Sequence, residues 1–259
     1  MGLMLFNGCS HTAGSEIEYQ FQSICYEKSW GKWLCDMTNE DYINIARPGA
    51  GNEYIFRTTQ DWIIKNVFLN KLYNKKDLHI IVMWSGFDRQ EVYFPDTNNS
   101  DNVNPHSDPK LHTTSMQFEV KALQDVIVYF HDFLYSNLKS LMLINNLSNF
   151  LEINDIKYTF LNSINSFIDL KELNNKFRNH AMYQSYNNNL WLYNDTKKNK
   201  HLGFSNENET FFHHLNSKFK WSIYSEKGHF GEESHKYWAK KVYDFIHKPI
   251  ESEPKIKLI

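Results

Sequence analysis

The fold is decided by the stretch Leu3-Met4-Leu5-Phe6-Asn7-Gly8-Cys9-Ser10-His11-Thr12-Ala13-Gly14. It consists of a short apolar run followed by a polar turn with a glycine at each end. This pattern is typical of a buried strand that leads into a helix, and α/β folds place their functional groups at the carboxyl ends of such strands. Ser10 would lie at the amino end of the helix, where its own N–H can help to bind an oxyanion. The turn predicts a nucleophilic serine, and a serine that only caps the helix is the alternative.

Short apolar runs alternate with amphipathic stretches along the rest of the chain. This alternation predicts a parallel sheet covered by helices on both faces. We expect strands over residues 3–7, 42–46, 79–84 and 156–162. Apolar residues at helical spacing predict helices over residues 54–73, 118–153 (one bent helix or two) and 232–247. The polar stretch 174–216 carries no predicted element.

The chain length of 259 residues is in the range that forms a single α/β domain with a sizeable core. We expect this domain over residues 1–248. Segment 96–114 is rich in Asn, Asp, Pro and Ser and predicts a loop inserted after the third strand, where long loops often act as lids. Residues 249–259 are expected to form a loose tail.

The charge balance argues against two classes of partner. The formal net charge is −2, from 28 Lys and Arg against 30 Asp and Glu, so no basic field favours nucleic acid or an anionic membrane. No run of about 18 apolar residues predicts a membrane span, and the first residues lack the basic region of a signal peptide. We therefore expect a cytoplasmic protein with no nucleic-acid and no membrane partner.

The cysteines and the composition bear on where the protein acts. The three cysteines have no Cys-x-x-Cys spacing, which argues against a disulfide framework and against a thiolate zinc site. A reducing compartment is the simplest interpretation. The Asn-rich, Lys-rich and Pro-poor composition is typical of an AT-rich bacterium or its phage, and a phage protein would act in the infected cell or in the virion. The sequence does not specify an oligomeric state.

A second polar turn, residues 44–52, follows the second predicted strand. Gly49 allows the backbone to approach a ligand closely, and its N–H would be a second donor aimed at the site of Ser10. Asn52 is expected to be an N-cap of the following helix. Gly49 is therefore the candidate binding residue of this turn.

A third polar turn, residues 82–89, ends the third predicted strand. Its Ser85, Asp88 and Arg89 would reach the same edge of the sheet as Ser10. Arg89 is suited to select an anionic group of a substrate, because its guanidinium presents a planar fork of donors. The alternative is a loop in which an Asp–Arg pair only fixes the backbone.

A fourth polar segment precedes the last predicted helix and contains Glu226 and His229. A nucleophilic serine needs a base within hydrogen-bond reach and an acid that orients the base, and this short loop offers both. His235 falls inside the helix and is expected to be structural. A surface histidine is the alternative for His229.

Three more histidines raise the question of a metal site. His213 and His214 are adjacent, and His201 is near them in the sequence. Adjacent side chains in a helix or strand point apart, and no carboxylate pattern joins these residues. We therefore expect no metal site.

The Ser10 turn, the Gly49 turn, the strand end at Gly86 and the Glu226-x-x-His229 segment follow one another in this order over nearly the whole chain. This order resembles blocks I, II, III and V of the SGNH hydrolases, the GDSL-like esterases and lipases. The resemblance implies a flavodoxin-like fold, a three-layer α/β/α sandwich with a central parallel sheet of about five strands.

The same resemblance implies roles for the matching residues. Ser10 would attack an ester carbonyl, His229 would be the general base and Glu226 would orient it. The N–H groups of Ser10 and Gly49 would bind the oxyanion. The implied activity is that of a serine hydrolase, without a cofactor, on small acetyl-type esters or on carbohydrate esters, as in a carbohydrate deacetylase.

Three positions depart from the pattern of the family. Cys9 replaces the aspartate of Gly-Asp-Ser, and Glu226 replaces the usual aspartate of block V. Phe87 replaces the oxyanion asparagine of block III. A missing donor of this kind typically costs about 100- to 1000-fold in rate, unless Ser85, Arg89 or Asn162 supplies another.

These departures leave two other interpretations open. The chain could keep the fold with a weak or inactive site and serve as a glycan-binding or structural component of a phage or bacterium, which its many Tyr, Trp and Asn residues favour. Thiol chemistry at Cys9 would require a cysteine of lowered pKa near a base. In the family, the residue before the serine does not point at the substrate.

Overall fold

The computed structural model describes residues 2–17, 23–87, 89–93, 111–114, 133–167, 181–193, 195–219 and 229–247. Several sequence predictions concern residues outside these ranges. They are Asp88, residues 96–110 of the predicted loop, the first part of the helix predicted over residues 118–153, the acid Glu226 and the tail at 249–259.

A five-stranded parallel sheet forms the centre of the molecule. Its strands stand in the order β2-β1-β3-β6-β7. They are β1 (Leu3–Gly8), β2 (Asp41–Asn44), β3 (Leu78–Trp84), β6 (Lys157–Asn162) and β7 (His201–Leu202). Four of the strands agree with the sequence prediction to within two residues at either end. The fifth, β7, lies in the polar stretch for which no element was predicted.

Side chains alternate between the two faces of the sheet along each strand, and each face carries its own hydrophobic core. Leu3 and Leu5 of β1 belong to one core, whereas Met4 and Phe6 belong to the other. Successive side chains of a strand point to opposite faces, so a strand buried on both faces must be apolar throughout. The unbroken apolar run at residues 3–6 therefore specifies a central strand.

Helices cover both faces of this sheet. They are α1 (Ser10–Ala13), α2 (Trp30–Thr38), α3 (Asn52–Ile63), α4 (Phe133–Ile153), α5 (Ala181–Leu192), α6 (Asp195–Lys198), α7 (Phe211–Lys218) and α8 (Glu232–His247). Residues of α3, α4 and α5 bury one core, and residues of α2, α7 and α8 bury the other. The predicted three-layer α/β/α sandwich is confirmed. No helix within the described ranges is long and apolar enough to cross a bilayer.

Two predicted elements differ from the structure. The helix expected over residues 54–73 begins at Asn52, changes to a π-helix at Ile64 and ends at Leu69. The last residues of the loop expected over 96–114 form a strand, β5 (Leu111–Thr114), which pairs antiparallel with β4 (Gln90–Tyr93). The Thr-Thr pair in β5 is β-branched and favours a strand over a loop.

Three histidines are buried inside the sandwich. His79 shares a hydrogen bond of 2.9 Å with Thr159 on the neighbouring strand. His235 accepts a hydrogen bond of 3.1 Å from the Trp30 N–H, which joins α8 to α2 and agrees with the structural role expected for it. Burial lowers the pKa of His79, His201 and His235 to about 3 in each case.

These histidines predict a loss of stability in mild acid. The unfolded chain binds protons at them below about pH 6.5, whereas the folded protein keeps them neutral. Their contribution to the free energy of unfolding is therefore complete above pH 6.5 and falls toward pH 3, by at most about 1.4 kcal/mol per pH unit for each histidine. Urea unfolding between pH 7 and 5 measures this slope.

The variant His79→Gln removes one of these groups, and we expect a shallower dependence of stability on pH than in the wild type. The partly exposed His213 supplies the matched control, His213→Gln. A slope unchanged by His79→Gln would contradict the prediction.

Candidate active site

Ser10 lies in a tight turn at the carboxyl end of β1. Cys9 is the N-cap of α1, Ser10 is its first residue, and Gly14 closes it in the left-handed conformation with φ 71°. Gly8 is required before the turn, because a Cβ atom there would lie 2.8 Å from the Met83 carbonyl oxygen. Ser10 is 6 % exposed. Its hydroxyl has no hydrogen bond to the described part of the chain and is available to a base.

His229 and Glu16 form a buried pair. His229 Nδ1 lies 3.0 Å from Glu16 Oε2, and the two side chains are 17 % and 8 % exposed. With Nδ1–H donating to the carboxylate, Nε2 is left as an acceptor. Burial lowers the pKa of His229, and the charge of His11 lowers it further, while Glu16 raises it. The net shift is downward, so the imidazole is neutral at pH 7.

The backbone around Glu16 is unusual. Glu16 has φ 57°, in the left-handed region that residues other than glycine rarely adopt. Its N–H donates a hydrogen bond of 2.9 Å to the Ser23 carbonyl. Such conformations concentrate at functional sites, where the surrounding structure enforces them.

Sequence reasoning missed Glu16 as a partner of His229. The two residues are 213 positions apart, and no local spacing joins them. The sequence offered one indication of this role, which is that Glu16 lies two residues after Gly14, the residue that closes the Ser10 turn. The acid predicted instead, Glu226, lies outside the described residues, so its place relative to His229 stays a prediction.

The residues on either side of Ser10 belong to a buried cluster with Ser163, which directly follows β6. His11 Nδ1 shares a hydrogen bond of 2.7 Å with Ser163 Oγ, and Cys9 Sγ lies 3.6 Å from the same oxygen. The His11 ring stacks on Phe211 with a centroid distance of 4.8 Å. The cluster fixes the Ser10 turn to the end of β6 and to α7.

His11 also connects the Ser10 turn to the predicted base. The rings of His11 and His229 meet edge to face, with their centroids 5.5 Å apart. Because His11 directly follows Ser10, this contact brings His229 to the serine turn. The structure thus brings His229 to the turn that carries Ser10, the other residue that the resemblance matched.

 

Ser10 and His229 are 219 positions apart in the sequence, and in space the ring of His11 joins them. The positive charge of Arg89 lowers the pKa of both Cys9 and His229. Its Nη1 donates a hydrogen bond of 3.0 Å to Ser85 Oγ. Arg89 thus acts electrostatically on the Ser10 site from the third polar turn.

Cys9 combines a lowered pKa with complete burial. Burial alone would raise the pKa of its thiol, but a hydrogen bond and the charge of His11, together with Arg89, bring it down to about 5. The side chain is 0 % exposed. A thiolate that no solvent reaches is not placed to attack a substrate, so thiol chemistry at Cys9 lacks the access it would require.

The Gly49 turn lies beside the Ser10 turn. The Arg47 N–H donates a hydrogen bond of 3.1 Å to the Gly8 carbonyl, which continues the pairing of β2 with β1 beyond the end of β2. Gly49 has φ 77°, so a side chain at this position would be strained. The Gly49 N–H has no hydrogen-bond partner among the described residues and is free to bind a ligand.

Asn52 is not the N-cap that the sequence predicted. Gly51 occupies that position, and Asn52 is the first residue of α3. Asn52 Oδ1 accepts a hydrogen bond of 2.8 Å from the Ser85 N–H, and Nδ2 donates one of 3.0 Å to Ser140 Oγ. These hydrogen bonds satisfy the buried amide of Asn52. They also join the second polar turn to the third.

The third polar turn supplies no side-chain donor at the position of the family's asparagine. Phe87 is buried there, and its ring stacks on Phe167 with a centroid distance of 4.6 Å. The N–H of Ser85 is bound to Asn52 and its hydroxyl to Arg89. Ser85 is therefore occupied in holding the turn together.

Asn162, the other candidate for the missing donor, is bound to the fifth strand. Its Nδ2 donates a hydrogen bond of 3.0 Å to the Gly203 carbonyl, and its Oδ1 lies 2.9 Å from His201 Nε2. His201 also bonds Tyr193 through Nδ1, at 2.9 Å. The amide thus holds β7 to β6, and both of its polar atoms have partners there.

The histidines considered for a metal are dispersed. His201 is buried between Asn162 and Tyr193, whereas His213 pairs with Glu207 at 3.1 Å and His214 stacks on Tyr237. Within the described ranges, no group of three or more His, Cys, Asp and Glu side chains is arranged to hold a metal ion.

The fold is shared with solved structures at low sequence identity. The crystal structure of TesA aligns with a TM-score of 0.50 at 8 % identity, over 95 % of this chain and 98 % of that one. A lipolytic G-D-S-L family protein from Veillonella parvula DSM 2008 aligns with a TM-score of 0.48 at 12 % identity, over 96 % and 100 %. An acetyl xylan esterase from Butyrivibrio proteoclasticus aligns with a TM-score of 0.45 at 14 % identity, over 95 % and 63 %. At 8 % identity, the alignment with TesA shows a shared fold and nothing more.

The sequence itself matches one family model. Residues 16–181, more than half of the chain, match the model of a family of unknown function (DUF6071). No curated protein matches the sequence.

Asn7 gives a test of how the Ser10 turn is held. It is completely buried, its Oδ1 accepts a hydrogen bond of 2.8 Å from the Gly8 N–H, and its Nδ2 lies 2.9 Å from Thr59 Oγ1 in α3. We expect Asn7→Ala to lower the free energy of unfolding by about 1–3 kcal/mol, because buried polar partners are left unpaired. Urea unfolding followed by tryptophan fluorescence measures the loss.

The exposed Asn70 provides the matched control for this substitution. We expect Asn70→Ala to stay within about 0.5 kcal/mol of the wild type. Equal stability of Asn7→Ala and Asn70→Ala would contradict the role assigned to Asn7.

Proposed function

The chain belongs to a family of unknown function (DUF6071), and we propose that it is a serine hydrolase of small acetyl-type esters, including esters of carbohydrates. One observation carries the proposal, the buried contact of 3.0 Å between His229 Nδ1 and Glu16 Oε2. A serine becomes a nucleophile when a histidine takes its proton and an acid holds that histidine in the right tautomer. Glu16 and His229 supply this pair beside the Ser10 turn.

The state of His229 suits a general base. Burial keeps its imidazole neutral at pH 7, and Glu16 holds the proton on Nδ1. Nε2 then accepts the proton of the serine, and the carboxylate of Glu16 stabilises the imidazolium that results. The carboxylate thus acts most strongly when positive charge develops on the ring.

The proposed reaction has two stages. Ser10 Oγ attacks the ester carbon while His229 Nε2 takes the hydroxyl proton, and the tetrahedral intermediate expels the alcohol, which receives that proton from His229. Water then gives a proton to His229 Nε2 and attacks the acyl-serine. The intermediate releases the carboxylic acid, and the proton returns to Ser10 Oγ.

Two backbone groups are proposed to bind the oxyanion. They are the N–H of Ser10 and the N–H of Gly49, which have no hydrogen-bond partner among the residues described. Phe87 provides no third donor, because its side chain has no polar group, and it stacks on Phe167. We therefore expect an enzyme that is about 100- to 1000-fold slower than one with a complete set of donors.

The acid assigned by the proposal differs from the one that the resemblance implied. Glu16 replaces Glu226 in the role of orienting His229, on the evidence of its hydrogen-bond distance. The carboxylate comes from the segment that follows the nucleophile rather than from the loop that carries the base.

The burial of Phe87 also favours a second candidate. A protein with this fold and an incomplete oxyanion site would serve to bind a glycan without cleaving it. The two candidates differ in whether Ser10 is activated, and a covalent probe distinguishes them.

Labelling with a fluorophosphonate tests the nucleophile. We expect one adduct by intact mass, because His229 activates Ser10 toward phosphonylation. The adduct should be absent from Ser10→Ala and retained in Ser205→Ala, the control at an exposed serine outside the site. A wild-type protein that forms no adduct and hydrolyses no p-nitrophenyl acetate would refute the hydrolase and leave the glycan-binding candidate.

The two glutamates give a separate test of the acid. We expect Glu16→Gln to lower kcat for p-nitrophenyl acetate by about 100- to 10,000-fold, because an amide cannot hold the catalytic tautomer of His229. The comparison is Glu226→Gln, for which we expect the smaller loss. The reverse order would reassign the acid to Glu226, and circular dichroism of each variant checks that it is folded.

A further inference from the structure

We propose that a groove beside strand β2 binds a saccharide that carries a carboxylate, and that this saccharide is the part of the substrate to which the ester is attached. The second clause rests on the proposed function. The groove has a volume of about 460 Å³, in the range of small-molecule sites. The side chains on which the argument depends are Tyr26, Arg47, Tyr54, Asp61, Trp62 and Lys65. We call it the β2-edge groove.

Aromatic rings form the walls of the β2-edge groove. Tyr26, Tyr54 and Trp62 are each partly exposed there, although large aromatic side chains gain most from full burial. The C–H face of a pyranose ring packs on such surfaces, and its hydroxyl groups bond to polar side chains between the rings. A groove that alternates rings with charged and amide groups therefore fits a sugar better than it fits an apolar ligand.

Contacts with the rest of the protein hold two of these rings in place. Tyr26 Oη donates a hydrogen bond of 3.0 Å to the Ala46 carbonyl. Trp62 stacks on Tyr73, with a centroid distance of 5.4 Å and an interplanar angle of 23°. Because these walls are already in position, binding of a ligand costs the protein little conformational entropy.

The charged groups of the groove favour an anionic sugar. Its described lining carries the cations Arg47 and Lys65 against one anion, Asp61. The guanidinium of Arg47 lies 5.5 Å from the centre of the Tyr54 ring, so its planar donors are oriented beside an aromatic wall. Arg47 and Lys65 can bind a carboxylate, while Asp61 accepts from sugar hydroxyls.

The groove begins next to the candidate active site. Arg47 donates its N–H to the carbonyl of Gly8, the residue at the end of β1 before the Cys9–Ser10 turn. Gly49, a proposed oxyanion donor, follows Arg47 by two positions. A sugar in the groove would therefore extend from the side of the site that the Gly49 turn forms.

A π-helical segment contributes to the far end of the groove. Lys65 and Asn66 line the groove and belong to the π-helix Ile64–Leu69. Such helices are rare and occur frequently at functional sites. The departure from α-helical geometry thus coincides with the residues that face the groove.

Titration of uniformly ¹⁵N-labelled protein with methyl glucuronoside and with methyl glucoside tests the proposal. The reporter is the indole N–H resonance of Trp62, assigned by its loss in Trp62→Phe. We expect the resonance to shift with both sugars, and roughly threefold to fivefold tighter binding of the uronoside, which is the range of a partly exposed ion pair.

Three variants complete the experiment. Tyr54→Ala should abolish the shift of Trp62, and Tyr135→Ala, at an exposed tyrosine outside the groove, should retain it. Lys65→Gln should reduce the preference for the uronoside without removing the response to the neutral sugar. No shift in the wild type, equal affinity for both sugars, or an unchanged response in Tyr54→Ala would overturn the proposal.

The same titration on Ser10→Ala separates this proposal from the proposed function. Binding of the uronoside to Ser10→Ala is expected to equal that of the wild type, because the groove does not include the nucleophile. A protein that binds the uronoside but forms no fluorophosphonate adduct would retain the groove and lose the hydrolase. A protein that forms the adduct but binds neither sugar would retain the hydrolase and overturn the groove proposal.

Discussion

Strand β1 is hydrogen-bonded on both sides, to β2 from Leu3 to Phe6 and to β3 from Leu3 to Gly8. The strand cannot shift without breaking its hydrogen bonds to both neighbours, so the turn that follows it is also held in place. The later turns are built onto it through Arg47, whose N–H bonds the Gly8 carbonyl, and through Asn52, which bonds the Ser85 N–H. The candidate site is therefore a consequence of the parallel sheet, whose carboxyl ends bring distant segments together.

Three of the four strands that the sequence predicted, β1, β3 and β6, are buried along nearly their whole length. A central parallel strand must be apolar along its whole length, and the runs in β1 and β3 are visible for that reason. Strand β7 gives no such signal, because it spans two residues and one of them is His201. The imidazole of His201 forms hydrogen bonds with Asn162 and Tyr193, and these contacts exist only in the folded protein. A polar residue with distant partners cannot be recognised as a core residue from its neighbours in the sequence.

The site shows the same limit. Ser10, Gly49 and Arg89 lie at strand ends, where position in the sequence predicts position in space. Glu16 reaches His229 from a left-handed backbone conformation, across 213 positions, and neither feature has a local pattern. The resemblance directed attention to Glu226 because the acid of the family lies three residues before its histidine. The contact between Glu16 and His229 could therefore be found only in the folded structure.

The charges around Ser10 give the replacement of aspartate by Cys9 a physical meaning. Burial raises the pKa of the Cys9 thiol, but His11 and Arg89 lower it to about 5 overall, which favours the thiolate form. An acidic group thus stands at the position where block I of the SGNH hydrolases has a carboxylate. Arg89 and His11, which lower the pKa of Cys9, also lower that of His229. Glu16 acts in the opposite direction and raises the pKa of His229, so its carboxylate favours the imidazolium that the proposed reaction requires.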